Sequence, residues 1–499
     1  MENKEIANQS QENKERQNTS SDINNAFGNY FVMLLSQGGL AIIAFLITFL
    51  LVKNIGIENY GQIAVFISAA QFAQVFLWWT ANAMARFGVQ ELVETGLISD
   101  SFWTRSLILS VNLIAVVGFA FIWFPLVSRS FKLSEELASN FLIYLVVWAI
   151  AMHFVFALQA TKMMKEQSVL QMLEKLLSLI ILVGLIFYGL ISWEKTLWVF
   201  TFSPILIILA CLFLLRRSLV WSPLKVKIRL ERIKEFLKFS IPIPLYSLFS
   251  PLTLNYVGTI FIVNYHSKAD LGFYTIATQI NGLLMMMPTV LGNLLMPIFV
   301  TSNTEAGEDS LAKSYFREIL PFITFLLAVL STIFVAIVYF CIPLFGEKYS
   351  GIGLLLWILT AGGIVSAPVL MGFFPFLFSK STTYLALLAS FCSAITLLLF
   401  SYLLVPGFGT IGSAWAMVIS LVVNTFVFEL ATYRQLNLGF PKTLYVALPN
   451  IFGALLFTYN FNVFVCLFII FFGLGLVVFF DKMTYVNGFA KLKSAFLKR

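Results

Sequence analysis

Apolar runs of about twenty residues recur along the whole chain with only short polar turns between them, which is the length a helix needs to cross a hydrocarbon core of roughly 30 Å. No other feature restricts the fold as tightly. Hydrophobic residues make up 60% of the 499 positions and charged residues only 11%, and the mean hydropathy is +0.90. A soluble chain of this length would need far more polar surface, so the solvent for most of it is lipid. The runs are continuously apolar rather than alternating at period two, so they are helices and not barrel strands.

Fourteen spans are expected, near 31–51, 61–83, 106–128, 139–159, 169–192, 196–215, 241–265, 271–300, 319–343, 351–378, 383–405, 411–433, 443–459 and 461–480. Charge then sets orientation. An even span number puts both termini on one face, and that face collects 26 of the 32 basic residues, leaving Lys53, Arg129, Lys132, Lys195, Lys268 and Lys348 on the other. Basic residues gather in cytoplasmic loops, so both termini are expected in the cytoplasm. Dropping a middle span would scramble this partition, which supports the count as well.

Residues 1–30 are rich in Glu, Asn, Gln and Ser and have no apolar core. They read as a disordered cytoplasmic tail, with the first span as an uncleaved targeting signal. The net charge of +8 is spread over loops and a membrane face, so it gives no reason to invoke nucleic acid. Cys211, Cys341, Cys392 and Cys466 lie in or beside spans without metal-ligand spacing and read as packing residues. No phosphate-binding glycine loop is present, and no metal or cofactor is expected.

The loop between the sixth and seventh spans divides the chain. Within 216–240, eight basic residues interleave with Ile228, Ile233, Phe236, Leu237 and Phe239; residues 226–239 are expected as an amphipathic helix on the anionic leaflet. It would join an N-terminal six-helix bundle, 31–215, to a second, 241–433, followed by two extra helices in 434–480 and a basic tail at 481–499. The halves share a detail. Asn59-Tyr60-Gly61 opens the second span and Asp270-Leu271-Gly272 the eighth, each the second span of a six-span set, as a parallel duplication would leave them.

Three segments carry a family resemblance: GIENYGQIAVFISAAQFAQVF, ADLGFYTIATQINGLLMMMPTVLGNLLMPIFV and VPGFGTIGSAWAMVIS. With the span number and central basic loop, they resemble polysaccharide flippases of the Wzx type, in the multidrug/oligosaccharidyl-lipid/polysaccharide (MOP) exporter superfamily. The resemblance implies an all-α polytopic protein, with two pseudo-symmetric six-helix bundles around a central cavity plus two C-terminal helices. The implied activity is alternating-access transfer of undecaprenyl-diphosphate-linked oligosaccharide repeat units, of O-antigen or capsule type, to the periplasmic leaflet. The implied partners are a polysaccharide polymerase and a chain-length regulator.

Such a substrate needs a hydrated path lined by hydrogen-bonding groups, with a cation for its phosphates. Gln71, Gln74, Trp78, Asn82 and Arg86 recur at spacings of three or four and share one helical face; they line a cavity or pack between helices. Gln279 and Asn293 mark a similar face on the eighth span, where Pro288 would free a backbone carbonyl, and Asn255 lies beside Pro251 in the proline-rich seventh span. Pro288 and Pro251 are gating candidates. Glu429 and His153, ionisable groups near span ends, are either coupling groups or structural partners. Gln167, Gln171, Glu174 and Ser178, with Lys175 beside them, read as an interfacial helix start. The first, seventh and eighth spans, where the family is expected to carry basic residues, hold only Lys268 at an entrance, which leaves Arg86 as the cation within reach of a cavity.

Two other classes stay open. A cation-coupled drug exporter of the same superfamily would show twelve spans and an acidic residue in the first, seventh or eighth. A membrane polymerase or glycosyltransferase would need catalytic groups in large extracytoplasmic loops, and the longest such loop here is 129–138.

Overall fold

A computed structural model describes the backbone of residues 2–221, 229–241, 249, 255–305, 310–345, 349–380, 382–439 and 442–497, and most side chains from Leu35 onward. Pro251 lies outside the described residues, as do the side chains of Asn255 and Asn293.

The described chain is helical throughout. In order the helices are α1 (Glu2–Trp78), α2 (Ala81–Thr95), α3 (Ser99–Gly118), α4 (Ala120–Phe131), α5 (Ala138–Ala160), α6 (Met164–Phe187), α7 (Trp193–Phe202), α8 (Ile205–Leu214) and α9 (Leu230–Ser240). The second half has α10 (Asn255–Tyr265), α11 (Lys268–Glu305), α12 (Leu320–Cys341), α13 (Gly351–Pro368), α14 (Phe374–Ser379), α15 (Thr383–Leu436), α16 (Thr443–Thr458), α17 (Val463–Phe480) and α18 (Lys482–Leu497). Nine helical runs among the described residues are long and apolar enough to cross a membrane. Each of the fourteen expected spans coincides with helix, the 241–265 span only in its described part. The apolar helices Tyr256–Tyr265 and Thr443–Thr458 are too short to be counted among the nine, and α11 is not one of them. Within the nine, α1 and α15 each hold two spans, continuous except at Gly56 (φ 84°) and Gly409 (φ 58°). These left-handed conformations suit glycine, which has no Cβ to clash.

Several spans differ from the expectation in detail. The 61–83 span ends early: α1 stops at Trp78 and α2 restarts at Ala81, across Thr80 at φ −92°, ψ 3°. The 106–128 span breaks at Phe119, ahead of Pro125, whose missing N–H leaves a helical carbonyl unpaired. The Trp123 indole donates to the Val116 carbonyl at 2.7 Å across this break. α7 ends just ahead of Pro204, which has no N–H to continue the helical ladder, while Ser203 keeps helical angles (φ −55°, ψ −35°). Pro288 lies inside α11, which stays helical through it.

Three peripheral segments depart from the sequence reading. The 1–30 segment is helical from Glu2; its Glu, Gln and Lys are good helix formers, so it continues the first span as a polar extension. The linker helix begins at Leu230 and turns its apolar side to protein. Phe236 is fully buried and stacks on Phe87 at 5.0 Å, while Arg232 lies over the same ring at 4.9 Å and 3.1 Å from Glu235. Upstream, the Ile98 amide donates to Ser218 and the Trp103 indole to Val220, at 3.0 and 2.9 Å. The linker is thus docked on α2 and α3. The basic tail likewise folds as α18, where Lys491 pairs with Glu318 at 2.5 Å.

At the end of the bundle opposite the linker, the two halves meet through their second spans. A Cβ on Gly61 would fall 1.9 Å from the Lys268 carbonyl, and one on Gly272 would fall 2.7 Å from the Ile57 carbonyl. Each glycine sits four residues after the carbonyl that its counterpart touches, so the pair repeats with internal symmetry. Around it, Lys268 Nζ donates to Gln62 Oε1 at 2.7 Å, Lys132 Nζ to the Asn264 carbonyl at 3.2 Å and Asn264 Nδ2 to the Ser130 carbonyl at 2.8 Å. Burial lowers the affinity of the Lys268 amine for its proton, with Glu58 opposing and Lys132 adding to that effect.

Candidate functional site

A cavity of about 630 Å³ opens inside the N-terminal half. Its wall is built by both segments of α1, by α2, α5, α6 and α7, and by Gln279 of α11 from the second half. Alternation of small and large residues on α1 explains its shape. Ala64, Ala69, Ala70 and Ala73 turn to the packed core, while Ile67, Gln71, Gln74, Val75 and Trp78 turn to the space.

At the inner end the two segments of α1 meet α11 in one hydrogen-bond network. Thr48 Oγ1 donates to Gln279 Oε1 at 2.6 Å, and Gln279 Nε2 donates to the Tyr60 hydroxyl at 2.8 Å. A second, polar space of about 250 Å³ adjoins it between the halves, lined by Ser68, Gln71, Thr275, Thr278 and Gln279 among others. There Thr259 donates to Ser68 across the halves at 3.1 Å.

The outer wall is aromatic and rich in donors. Trp78, Trp79, Trp148, Tyr144, Phe156 and Phe200 all line it. The indole N–H groups of Trp78 and Trp148 are buried, without a hydrogen-bond partner among the described residues, and Gln74 hydrogen-bonds the Tyr144 hydroxyl. Lys175 is the only charged residue among the described lining residues. Its ammonium sits 5.5 Å from the Trp148 ring and 5.8 Å from Phe200, and 3.3 Å from Glu174. Glu174 itself turns into the core, where its carboxylate also accepts from Ser203 and Ser178. An ammonium has three donors, so Lys175 presents a cation whose hydrogen bonds are incompletely used by the described residues.

Gln71, Gln74, Trp78, Asn82 and Gln279 therefore come together at this cavity. Arg86 does not line it: Asn82, beyond the break at Thr80, still faces the space, but the Arg86 guanidinium one turn further on lies over Phe239 at 4.9 Å and Phe87 at 5.6 Å. Glu429 lies away from the cavity, fully buried, accepting from the Thr443 amide and hydroxyl at 2.8 and 2.7 Å and so capping α16. His153 is buried against Arg105, at 2.9 Å, and Ser106. In sequence Lys175 is indistinguishable from the loop cations. Its signal is the helical spacing of Gln171, Glu174 and Ser178, which places a polar face on α6; Glu174 and Ser178 are buried inward rather than at an interface.

The family profile that matches describes a polysaccharide biosynthesis protein and covers residues 27–303, more than half of the chain. Among solved structures, the fold is similar to a lipid II flippase, MurJ, in an inward closed conformation: TM-score 0.64 at 14% identity, covering 92% of this chain and 99% of that one. It is also similar to an inward-facing multidrug resistance MATE transporter of the MOP superfamily, with TM-score 0.56, 16% identity and coverage of 82% and 98%. A point mutant of the Vibrio cholerae MATE transporter VcmN aligns at TM-score 0.60 and 14% identity over 84% of this chain and 98% of that one. No curated protein matches by sequence. The chain thus shares its multi-pass helical fold with these solved structures, and it belongs to the polysaccharide biosynthesis protein family.

Proposed function

We propose that the protein is a flippase for undecaprenyl-diphosphate-linked oligosaccharide repeat units, of O-antigen or capsule type. The observation that carries this reading is the cavity wall, where a cation stands beside aromatic faces and neutral amides. Phosphate oxygens take charge-assisted hydrogen bonds from such a cation. Sugar rings place hydroxyls against amides and their C–H faces against indoles. The cavity volume falls in the range of roughly 300–1,000 Å³ that suits a ligand of headgroup size, while the polyprenyl tail stays in lipid.

The basic end of the bundle is then cytoplasmic and the membrane is the bacterial inner membrane. The headgroup enters from that end while the Gly61–Lys268 contact holds the opposite end shut, and it leaves when that contact opens. Work is transport rather than catalysis, followed by a polysaccharide polymerase and chain-length regulator acting on the released units. Drug export is the competing reading, because the fold is shared with multidrug transporters. Deletion in the native host, with mass spectrometry of lipid-linked oligosaccharides and a blot for surface polymer, separates the two. Accumulated undecaprenyl-diphosphate repeat units with lost polymer support flipping; intact polymer with heightened sensitivity to cationic dyes supports export.

A further inference from the structure

Arg105 is fully buried in α3, although its place at the start of an apolar run is that of a loop cation. Its Nη1 donates to His153 Nδ1 at 2.9 Å and to the His153 carbonyl at 3.3 Å. The Ser106 hydroxyl donates to the Phe102 carbonyl at 2.8 Å, so at the 2.9 Å contact with His153 Nε2 it must accept. That assigns the imidazole hydrogen to Nε2 and makes Nδ1 an acceptor. His153 is therefore a neutral support for the guanidinium and not its counter-ion.

No carboxylate serves as one either. Glu91 is committed to the Asp100 and Ser101 amides, each at 2.8 Å, and Asp100 to Arg232 and Thr104. Among the described residues no ion pair forms with Arg105, and its Nε and Nη2 have no partner at all. A buried cation with open donors is costly unless an anion meets it.

One side chain joins this group to the cavity. The Phe156 ring covers Arg105 Cζ at 5.2 Å and also lines the cavity wall. We propose that Arg105 is a recessed anion-binding residue of the cavity, taking a phosphate group of the headgroup when the Phe156 ring swings aside. His153 holds the guanidinium in register, and Phe156 covers it while the cavity is empty. The proposal rests on the reading of the cavity as a diphosphate-lipid site, and it assigns that site a second cation beyond Lys175.

The test is binding of farnesyl diphosphate to the purified full chain in detergent, followed by tryptophan fluorescence, with inorganic pyrophosphate and farnesol as separate probes. The expected result is that Arg105→Gln raises the Kd for farnesyl diphosphate at least tenfold with its thermal unfolding midpoint within a few degrees of the parent, and that Arg105→Lys loses less. Phe156→Ala lowers the Kd severalfold because the cover is gone, which keeps the proposal testable if R105Q does not fold. Competition by pyrophosphate identifies a site for free phosphate chemistry; binding that needs the prenyl chain as well identifies a lipid headgroup site. Equal Kd values for the parent, folded R105Q and F156A overturn the assignment of Arg105 while leaving the cavity reading intact. Absence of binding to the parent chain overturns both.

Discussion

The carbonyl of Lys268 lies 1.9 Å from the point where a Cβ on Gly61 would sit, and Gly272 stands in the same relation to Ile57 at 2.7 Å. The repeated glycine at the entrance of each half's second span therefore lets the two backbones approach at van der Waals distance on both sides of the contact.

Gly61→Ala is expected to hold the halves apart at that end. Neither backbone atom is the tip of a flexible side chain, so the clash has to move a helix, and overpacking of this kind costs about 1–3 kcal/mol. Crosslinking of Gln62→Cys to Lys268→Cys by a short bis-maleimide, at the place where the parent side-chain ends meet at 2.7 Å, should be efficient in the parent background and fall severalfold with Gly61→Ala. Undiminished crosslinking would mean that the contact is not tight.

Lys175 is the cation of the cavity wall, whereas Arg86 packs on Phe239 outside it. A hydrogen bond to a charged group is worth about 1.5–3 kcal/mol, so Lys175→Gln should lower transport by roughly ten- to a hundredfold at equal membrane abundance, with Lys175→Arg partly active. Arg86→Ala should stay within a factor of about two, since it loses an exposed cation–π contact of about 0.5–1 kcal/mol. Polymer production in a complemented deletion strain measures both, and the reverse order would move the phosphate site to α2.

Glu429 accepts two hydrogen bonds at the start of α16. A side-chain cap contributes about 0.5–2 kcal/mol. Glu429→Gln keeps an acceptor and should retain transport, while Glu429→Ala should lower the unfolding temperature and membrane abundance. Loss of transport in a stable, abundant Glu429→Gln protein would instead show that the carboxylate moves a proton.

The Asp481 carboxyl, just past the end of α17, is held below the usual carboxylate range. Partial burial pushes it up, but hydrogen bonds from Lys442, at 2.6 Å, and Thr484, at 2.7 Å, outweigh that and favour the charged form. A depressed folded value gives stability that is complete above the ordinary Asp pKa of about 3.9 and is lost as the pH falls through the lower folded value. The pair is about a third exposed, so solvent limits it to at most about 1 kcal/mol. Asp481→Asn should lower the melting temperature slightly at pH 7 and converge with the parent in strong acid; an equal difference at both pH values would rule the ion pair out as its cause.

Length, hydropathy and the distribution of Lys and Arg are enough for a many-span helical membrane protein, because a bilayer imposes span length and helical hydrogen bonding on any chain that crosses it. The Gln71–Trp78 stripe is also legible, being local to one unbroken helix. What periodicity does not show is where a helix stops. The helix stops at Trp78 and restarts at Ala81, and although Asn82 keeps the face it shares with Gln71, Arg86 packs on Phe87 and Phe239 instead. Lys175 and Arg105 fall among the 26 basic residues assigned to the cytoplasmic face, since hydropathy records how polar a residue is but not which wall it faces. Only the packing of α5 against its neighbours decided that Lys175 meets Trp148 and that Phe156 stands over Arg105, for those contacts join residues far apart in the chain and no local pattern carries them.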